Sequence, residues 1–144
     1  KLLAELSLTI STFLHINHKG TYSIFKGINS AKSLRSLSLN LSKYTMVYEV
    51  LIAVKVLVIL IDRLGPIAFS LDVSCNPSLT DSDVNIITSR FKPNNLLKSA
   101  TFNFDFCNQI SEESVEMLVE AVCQNKSLTK LSLPDRNYSG RFIT

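Results

Sequence analysis

The sequence has few of the residues that mark turn-dense, fibrous or disulfide-bonded proteins. Glycine and proline occur four times each, and cysteine three times, among 144 residues. Such low glycine and proline contents argue against a collagen-like repeat and against a sandwich of many short strands. Hydrophobic residues make up 46% and charged residues 19%, so the composition favours a folded chain over a disordered one.

The cysteines and histidines do not form a recognisable metal or disulfide pattern. The number of cysteines is odd, and no CxxC motif occurs among Cys75, Cys107 and Cys123. His15 and His18 form an H-x-x-H pair without two further ligands nearby, so we expect a polar loop and no cofactor. We interpret the cysteines as small buried thiols in a reducing compartment. Because no signal peptide is visible, a cytoplasmic location is expected.

Charge and hydropathy argue against nucleic-acid binding and against a membrane span. The net charge is +3, from 15 basic and 12 acidic residues, and the basic residues are scattered along the chain rather than clustered. The most apolar stretch, 47–61, contains Glu49 and Lys55, and its uninterrupted part is far shorter than the ~18 residues of a spanning helix. We therefore predict a buried helix from about 47 to 64.

An internal repeat is the most informative feature of the sequence. Five segments follow the template L-x-x-L-x-L-x-L and start at Leu3, Leu34, Pro66, Leu97 and Leu128, so the step is 31 or 32 residues. The alternation at the end of each segment predicts a strand with one buried face. The expected inward side chains are Leu6, Leu8, Ile10, Leu37, Leu39, Leu41, Phe69, Leu71, Val73, Ala100, Phe102, Phe104, Leu131 and Leu133. Pro134 and Asp135 in the fifth segment indicate an edge strand.

Between the strands the hydrophobic period becomes helical. In 111–125, Val115, Leu118, Val119 and Val122 form one apolar stripe that follows the N-cap residue Ser111. Ile110 and Val115 are placed to form a hydrophobic staple. The preceding repeat has the same arrangement 31 residues earlier, with Thr80 as the N-cap and with Leu79 and Val84 as the hydrophobic staple. Ile87 and Phe91 continue its apolar stripe, and Pro93 is expected to end the helix. A weaker version contains Tyr22, Ile24, Phe25 and Ile28.

One strand and one helix cannot bury both apolar faces alone, so neighbouring units must stack. Strands lie ~4.8 Å apart and helices about 8–10 Å apart, which forces the stack to curve. We therefore predict one α/β domain over 1–144. Its expected shape is a solenoid, an open arc with parallel strands on the concave face and helices on the convex face.

From Leu3 to about Asp135 the chain resembles leucine-rich repeats of the ribonuclease-inhibitor type. The strand segments, the sequence Ile-Ser-Glu-Glu-Ser-Val at 110–115 and the junction at 125–133 carry this resemblance. Typical repeats place Asn or Cys three positions after the L-x-L pair, where the side chain satisfies turn backbone. Here those positions hold Ser11, Ser42, Ser74, Asp105 and Arg136, so we expect that ladder to be missing.

Catalytic motifs are not apparent, and we expect a protein that is not an enzyme. Neither a G-x-S-x-G nucleophile elbow nor a phosphate-binding P-loop is present. Asp81 and Asp83 stand in the first turn of a predicted helix, where acidic residues are ordinary, so capping is favoured over catalysis.

The concave face is the candidate binding surface, because solenoids usually bind there. Its candidate residues are Ser7, Thr9, Arg35, Ser38, Asn40, Ser70, Asp72, Lys98, Thr101, Asn103, Lys130 and Ser132. A solvated sheet face without a ligand is an equal alternative. A binding hot spot on the loops is another, at His15, His18 and Tyr22 or at Phe106 and Asn108.

The resemblance implies a protein-binding module, and one specific form is the sensor region of an intracellular NOD-like (STAND-type) immune receptor. A structural repeat element of a cytoskeletal or ciliary assembly is the first alternative. A GTPase-activating regulatory protein is the second. The expected partner is a protein, and the chain is expected to be part of a larger multidomain protein.

Overall fold

The computed structural model describes residues 3–9, 18–43, 67–91, 93 and 96–133. Over these ranges the chain is an α/β structure with five strands and three helices. In chain order they are β1 (Glu5–Thr9), α1 (His18–Ser30), β2 (Ser36–Asn40), β3 (Ala68–Asp72), α2 (Asp81–Thr88), β4 (Ser99–Asn103), α3 (Glu112–Cys123) and β5 (Lys130–Ser132). The helix that the sequence predicts near 47–64 lies outside the described residues, as do Ile10, Ser11, Pro134, Asp135 and Arg136.

The five strands form one parallel sheet in the order β1-β2-β3-β4-β5. Leu6 pairs with Leu37, and Leu37 with Phe69. Phe69 pairs with Ala100, which in turn pairs with Leu131. The predicted strands and their phase are therefore confirmed: residues one step of 31 or 32 apart lie side by side in the sheet.

One face of the sheet is buried. In β2, β3 and β4 every second residue is buried and the intervening residues are only partly buried. The buried side chains belong to one apolar cluster that also contains helix residues such as Val84, Ile87 and Leu118. At the edge, Leu6 and Leu8 of β1 are only partly buried, because no strand of the described ranges precedes β1 in this sheet.

Phenylalanines fill the middle of this core. The rings of Phe69 and Phe102 are 5.8 Å apart, and Phe91 lies 6.0 Å and 5.7 Å from them in edge-to-face contacts. Phe104 stacks on Phe102 with its ring centroid 6.2 Å away. Aromatic pairs at such distances add to the hydrophobic stabilisation from buried area.

The helices bury most of the stripes that the sequence predicts. Val115, Leu118 and Val122 of α3 are buried, and so are Phe25 and Ile28 of α1. Two details differ from the prediction. Tyr22 is 58% exposed and lies outside the core. Phe91 is buried, but α2 ends at Thr88, so a turn rather than the helix places this ring.

Polar caps begin α2 and α3 at the predicted residues. The Ser111 hydroxyl accepts a hydrogen bond from the Ser114 N–H at 3.2 Å. The Asp83 carboxylate accepts from both the N–H and the hydroxyl of Thr80, each at 2.9 Å. The staple pairs Leu79/Val84 and Ile110/Val115 are buried. These bonds satisfy donors that the first turn of a helix otherwise leaves without partners.

The three cysteines form no disulfide bonds with one another, but the expectation that all are buried is wrong. Cys107 is buried, Cys75 is partly buried and Cys123 is exposed. Cys123 follows the buried Val122 in α3, and successive helix residues point about 100° apart, which turns its side chain away from the core.

We predict that Phe102→Ala lowers the free energy of unfolding by ~3–5 kcal/mol, because it removes a fully buried ring and leaves a cavity. Ser38→Ala, on the opposite face of the sheet, serves as the control and should change stability by less than about 0.5 kcal/mol. Urea denaturation followed by circular dichroism measures both. Equal losses would contradict the assignment of the buried face.

Candidate functional site

The face of the sheet opposite the apolar cluster carries the candidate side chains in rows, and we call it the open face. Its middle row consists of hydroxyl-bearing residues brought side by side by the strand register: Ser7, Ser38, Ser70, Thr101 and Ser132. Ser7 is exposed, and the other four are partly exposed. The structure therefore gathers five of the predicted residues into one line across the sheet.

The next row contains Thr9, Asn40, Asp72 and Asn103. The side chains of Asn40, Asp72 and Asn103 each accept a hydrogen bond, at 3.0 Å, from the backbone N–H two residues later. This is the Asx-turn arrangement, in which a side chain replaces backbone in closing a turn. One oxygen of each candidate is thus already used to end its own strand.

The basic candidates are less close together than the polar ones. Lys130 lies beside Ser99, in the row of the open face that begins with Glu5. Arg35 and Lys98 are exposed, but each stands one residue before the strand that follows it. The Arg35 guanidinium donates to the carbonyls of Leu34 at 3.0 Å and Lys32 at 3.4 Å.

Just beyond the open face, three turns share an unusual backbone conformation. Lys43, Cys75 and Phe106 have φ values of 58°, 59° and 60°, in the left-handed region that non-glycine residues rarely occupy. The turns lie side by side: the Lys43 N–H donates to the Ser74 carbonyl at 2.8 Å, and the Cys75 N–H donates to the Asp105 carbonyl at 2.7 Å. This row was not recognised from the sequence, because none of the three is glycine.

Phe106 is the most exposed of the large hydrophobic side chains in the described ranges, at 72%. It follows Asp105, whose N–H is held by Asn103 of the open face. The turn therefore presents an aromatic ring beyond the carboxyl end of β4. Asn108, the other loop candidate here, is exposed as well.

The buried side chains of Asn76 and Cys107 donate hydrogen bonds to backbone carbonyls of the turns. The Asn76 amide donates to the carbonyls of Leu41 at 3.0 Å and Val73 at 2.6 Å. The Cys107 thiol donates to the Val73 carbonyl at 3.2 Å. The expectation of a missing ladder is therefore wrong over these two turns. Counting three positions from Phe69-x-Leu71 and Ala100-x-Phe102 gave Ser74 and Asp105. Counting from the next apolar pairs, Leu71-x-Val73 and Phe102-x-Phe104, gives Asn76 and Cys107.

Asp81 joins the start of α2 to the start of α3. One of its carboxylate oxygens accepts a hydrogen bond from the Ser111 N–H at 2.6 Å. The hydrogen bond from the Ser111 backbone is the largest cause that lowers the pKa of this carboxyl group, and the bond from the Ser114 side chain is the second. Nearby, the Gln109 side-chain amide donates to the Pro77 carbonyl at 2.7 Å. These contacts assign Asp81 a structural role between neighbouring helices.

Two of the loop candidates, His15 and the side chain of His18, lie outside the described parts of the chain. In the described ranges no three His, Cys, Asp or Glu residues come close enough to hold a metal ion. Over the same residues none of the helices has both the length and the apolar content needed to cross a membrane.

No protein-family model matches the sequence, and neither does any curated protein.

We predict that Asn76→Ala lowers the free energy of unfolding by ~1–3 kcal/mol. The substitution leaves the Leu41 and Val73 carbonyls without the donor that reaches them in a buried turn. Asn108→Ala, an exposed site in the following turn, is the control and should be close to neutral. Chemical denaturation measures both, and an unaffected Asn76→Ala protein would argue against the assigned role.

We predict that Asp81→Ala destabilises the protein at neutral pH and that the difference from wild type shrinks in acid. The folded state lowers the pKa of this carboxyl, so its contribution is present above the unfolded pKa of about 3.9. That contribution is lost as the pH falls through the lower, folded-state pKa. Thermal melts between pH 7 and pH 2 measure this dependence, with Glu116→Ala on exposed α3 surface as the control. A constant difference across the range would contradict the prediction.

Proposed function

We propose that this chain is a protein-binding module that contacts its partner through the open face and the exposed Phe106. In this proposal the whole is a leucine-rich-repeat solenoid of the ribonuclease-inhibitor type, with the open face on its concave side. The ordered parallel strands, their constant step and the capped helices support that fold. The buried backbone donors Asn76 and Cys107 support it further.

The exposed ring of Phe106 is the observation that carries the proposal. Tight protein interfaces depend on a few residues, often aromatic, surrounded by polar contacts that exclude water. Phe106 is 72% exposed and lies in the turn that follows β4, three residues after Asn103 of the open face. The hydrophobic cost of exposing the ring would be removed on contact with a partner.

The backbone at Phe106 strengthens this interpretation. A left-handed conformation costs a non-glycine residue roughly 1–2 kcal/mol, and glycine would occupy the position without that cost. Strained positions are found disproportionately where function requires a side chain in a fixed place. Cys75 and Lys43 have the same left-handed backbone in the neighbouring turns. The three turns therefore share one backbone conformation and differ in the side chain at this position.

The more specific role that we favour is the sensor region of an intracellular NOD-like receptor. The resemblance of the strands and of the 110–115 cap motif to such repeats supports it. The exposed thiol of Cys123 supports a cytoplasmic location, because exposed thiols oxidise outside reducing compartments. Neither catalysis nor a cofactor forms part of this proposal.

Site-specific photo-crosslinking tests the open face. A photoreactive residue at Ser70 or Thr101 should form crosslinks to a partner protein in cells, because both positions lie in the middle row of that face. The same residue at Glu120, exposed on α3, is the matched control and should not. Crosslinks only from Glu120, or from none of the positions, would contradict the proposed surface.

A second variant tests the aromatic anchor without damaging the fold. Phe106→Gly removes the ring and also relieves the left-handed backbone, so stability should be unchanged or slightly higher. Partner crosslinking from Thr101 should nevertheless fall by on the order of ten-fold or more, as expected when a binding hot spot is removed. Unchanged crosslinking by this folded variant would exclude Phe106 as the anchor.

A further inference from the structure

We propose that copies of this chain bind one another through their helices, with the exposed side of α1 in one copy packed against the exposed side of α3 in another. Neither surface belongs to the open face, so this contact is separate from the partner binding proposed above. Three features of the two helices point to a second copy as the occupant: the sign of their charges, an exposed apolar side chain on each, and the spacing between these groups.

The exposed side of α1 is basic and has an aromatic ring at its centre. Lys19, Tyr22 and Lys26 are exposed and follow one another at steps of three and four residues, which places them on one side of the helix. We call them the α1 stripe. Tyr22 is 58% exposed. The sequence of α1 contains no acidic residue, so these lysines gain no support from a carboxylate one turn away on their own helix.

The exposed side of α3 has the opposite charge and also an apolar centre. Glu113, Met117 and Glu120 are exposed at steps of four and three residues, and we call them the α3 stripe. Met117 is 48% exposed. The sequence of α3 contains four glutamates and no basic residue. Glu116 and Glu120 are four residues apart, where like charges repel, and a basic surface placed over them would relieve that repulsion.

The two stripes match in spacing. In each, two like charges stand seven residues apart, about 10.5 Å along the helix, on either side of the apolar side chain. When the stripes face one another, each lysine lies opposite a glutamate whether the helices run parallel or antiparallel. Tyr22 and Met117 then meet between the charged pairs. A methionine sulfur beside an aromatic ring is a favourable contact, and complementary charges around it fix which surfaces pair.

Charge and topology together select the α1 stripe of one copy and the α3 stripe of another. Pairing α1 with α1 would bring lysines together, and pairing α3 with α3 would bring glutamates together. Within one copy, α1 follows β1 and α3 follows β4, and β2 and β3 lie between those strands in the sheet. The helix that packs against α3 in the same copy is α2. A photoreactive residue at Glu120 would therefore crosslink to another copy of this chain, whose mass separates it from a different partner protein.

Charge reversal tests the proposal in solution. Sedimentation velocity of the full chain over a range of concentrations should show reversible self-association. Lys19→Glu/Lys26→Glu should weaken it by on the order of ten-fold or more, because glutamates then face glutamates. Glu113→Lys/Glu120→Lys should weaken it equally, because lysines then face lysines. An equimolar mixture of the two double variants should recover association, since each reversed stripe meets its complement in the other variant.

Two further double variants make the same changes in charge away from the stripes. They are Lys32→Glu/Lys126→Glu and Glu5→Lys/Glu112→Lys, all at exposed positions. Each should associate like wild type, which separates the contact from a general effect of net charge. A chain that stays monomeric at every concentration would overturn the proposal. So would stripe variants that associate like wild type, controls that weaken association as much as the stripe variants do, or a mixture that fails to recover it.

A site-specific crosslink locates the contact independently of charge. In a Cys123→Ser background, Tyr22→Cys and Met117→Cys proteins are mixed, with a tag on one of them so that mixed dimers can be identified. Mild oxidation should join the two proteins through a disulfide bond. Ser38→Cys, on the open face, replaces Tyr22→Cys in the matched control and should give far fewer mixed dimers. Equal yields from the two mixtures would contradict an α1–α3 contact.

Discussion

Burial of one face of a parallel sheet is the constraint on which the rest of this structure depends. Each strand contributes apolar side chains to that face, and each described helix contributes a stripe that packs into the same cluster. Neither element can bury its apolar side alone, so strand, turn and helix are stable only beside their neighbours. The phenylalanine contacts between Phe69, Phe91 and Phe102 show this directly, because they link residues of adjacent strands and of a following turn.

The turns at the ends of the strands convert this packing into a defined surface. An Asx bond, a left-handed residue and a buried donor recur in neighbouring turns, and backbone hydrogen bonds join the turns to each other. This network fixes where the side chain of the left-handed residue emerges. The backbone of Phe106 is consequently held in place although its ring is exposed, so less backbone freedom would remain to be lost on binding.

The two faces of the sheet differ in physical character. The open face is lined by hydroxyl, amide and carboxylate groups and suits a polar contact anchored by an aromatic ring. The opposite face is apolar and belongs to the cluster that also contains residues of the described helices.

The sequence alone determined the strands, their phase and the helix caps. Each depends on residues close together in the chain, such as the alternation around Leu37 and Leu39 or the serine of the 110–115 motif. It also predicted that the polar alternates would share one face, because the constant step fixes which residues become neighbours. The middle row from Ser7 to Ser132 follows from that step.

The tertiary structure decided what local pattern cannot specify. Tyr22 fits a helical stripe but is exposed, and Phe91 reaches the core from a turn, because only the packed neighbours determine which positions are covered. The roles of Asn76 and Cys107 depend on carbonyls brought to them by folding, one of them 35 residues away. The display of Phe106 likewise requires the turns to stack. Contacts between distant residues form only in the assembled fold, whereas the hydrophobic periodicity and the helix caps depend on residues that are close together in the chain.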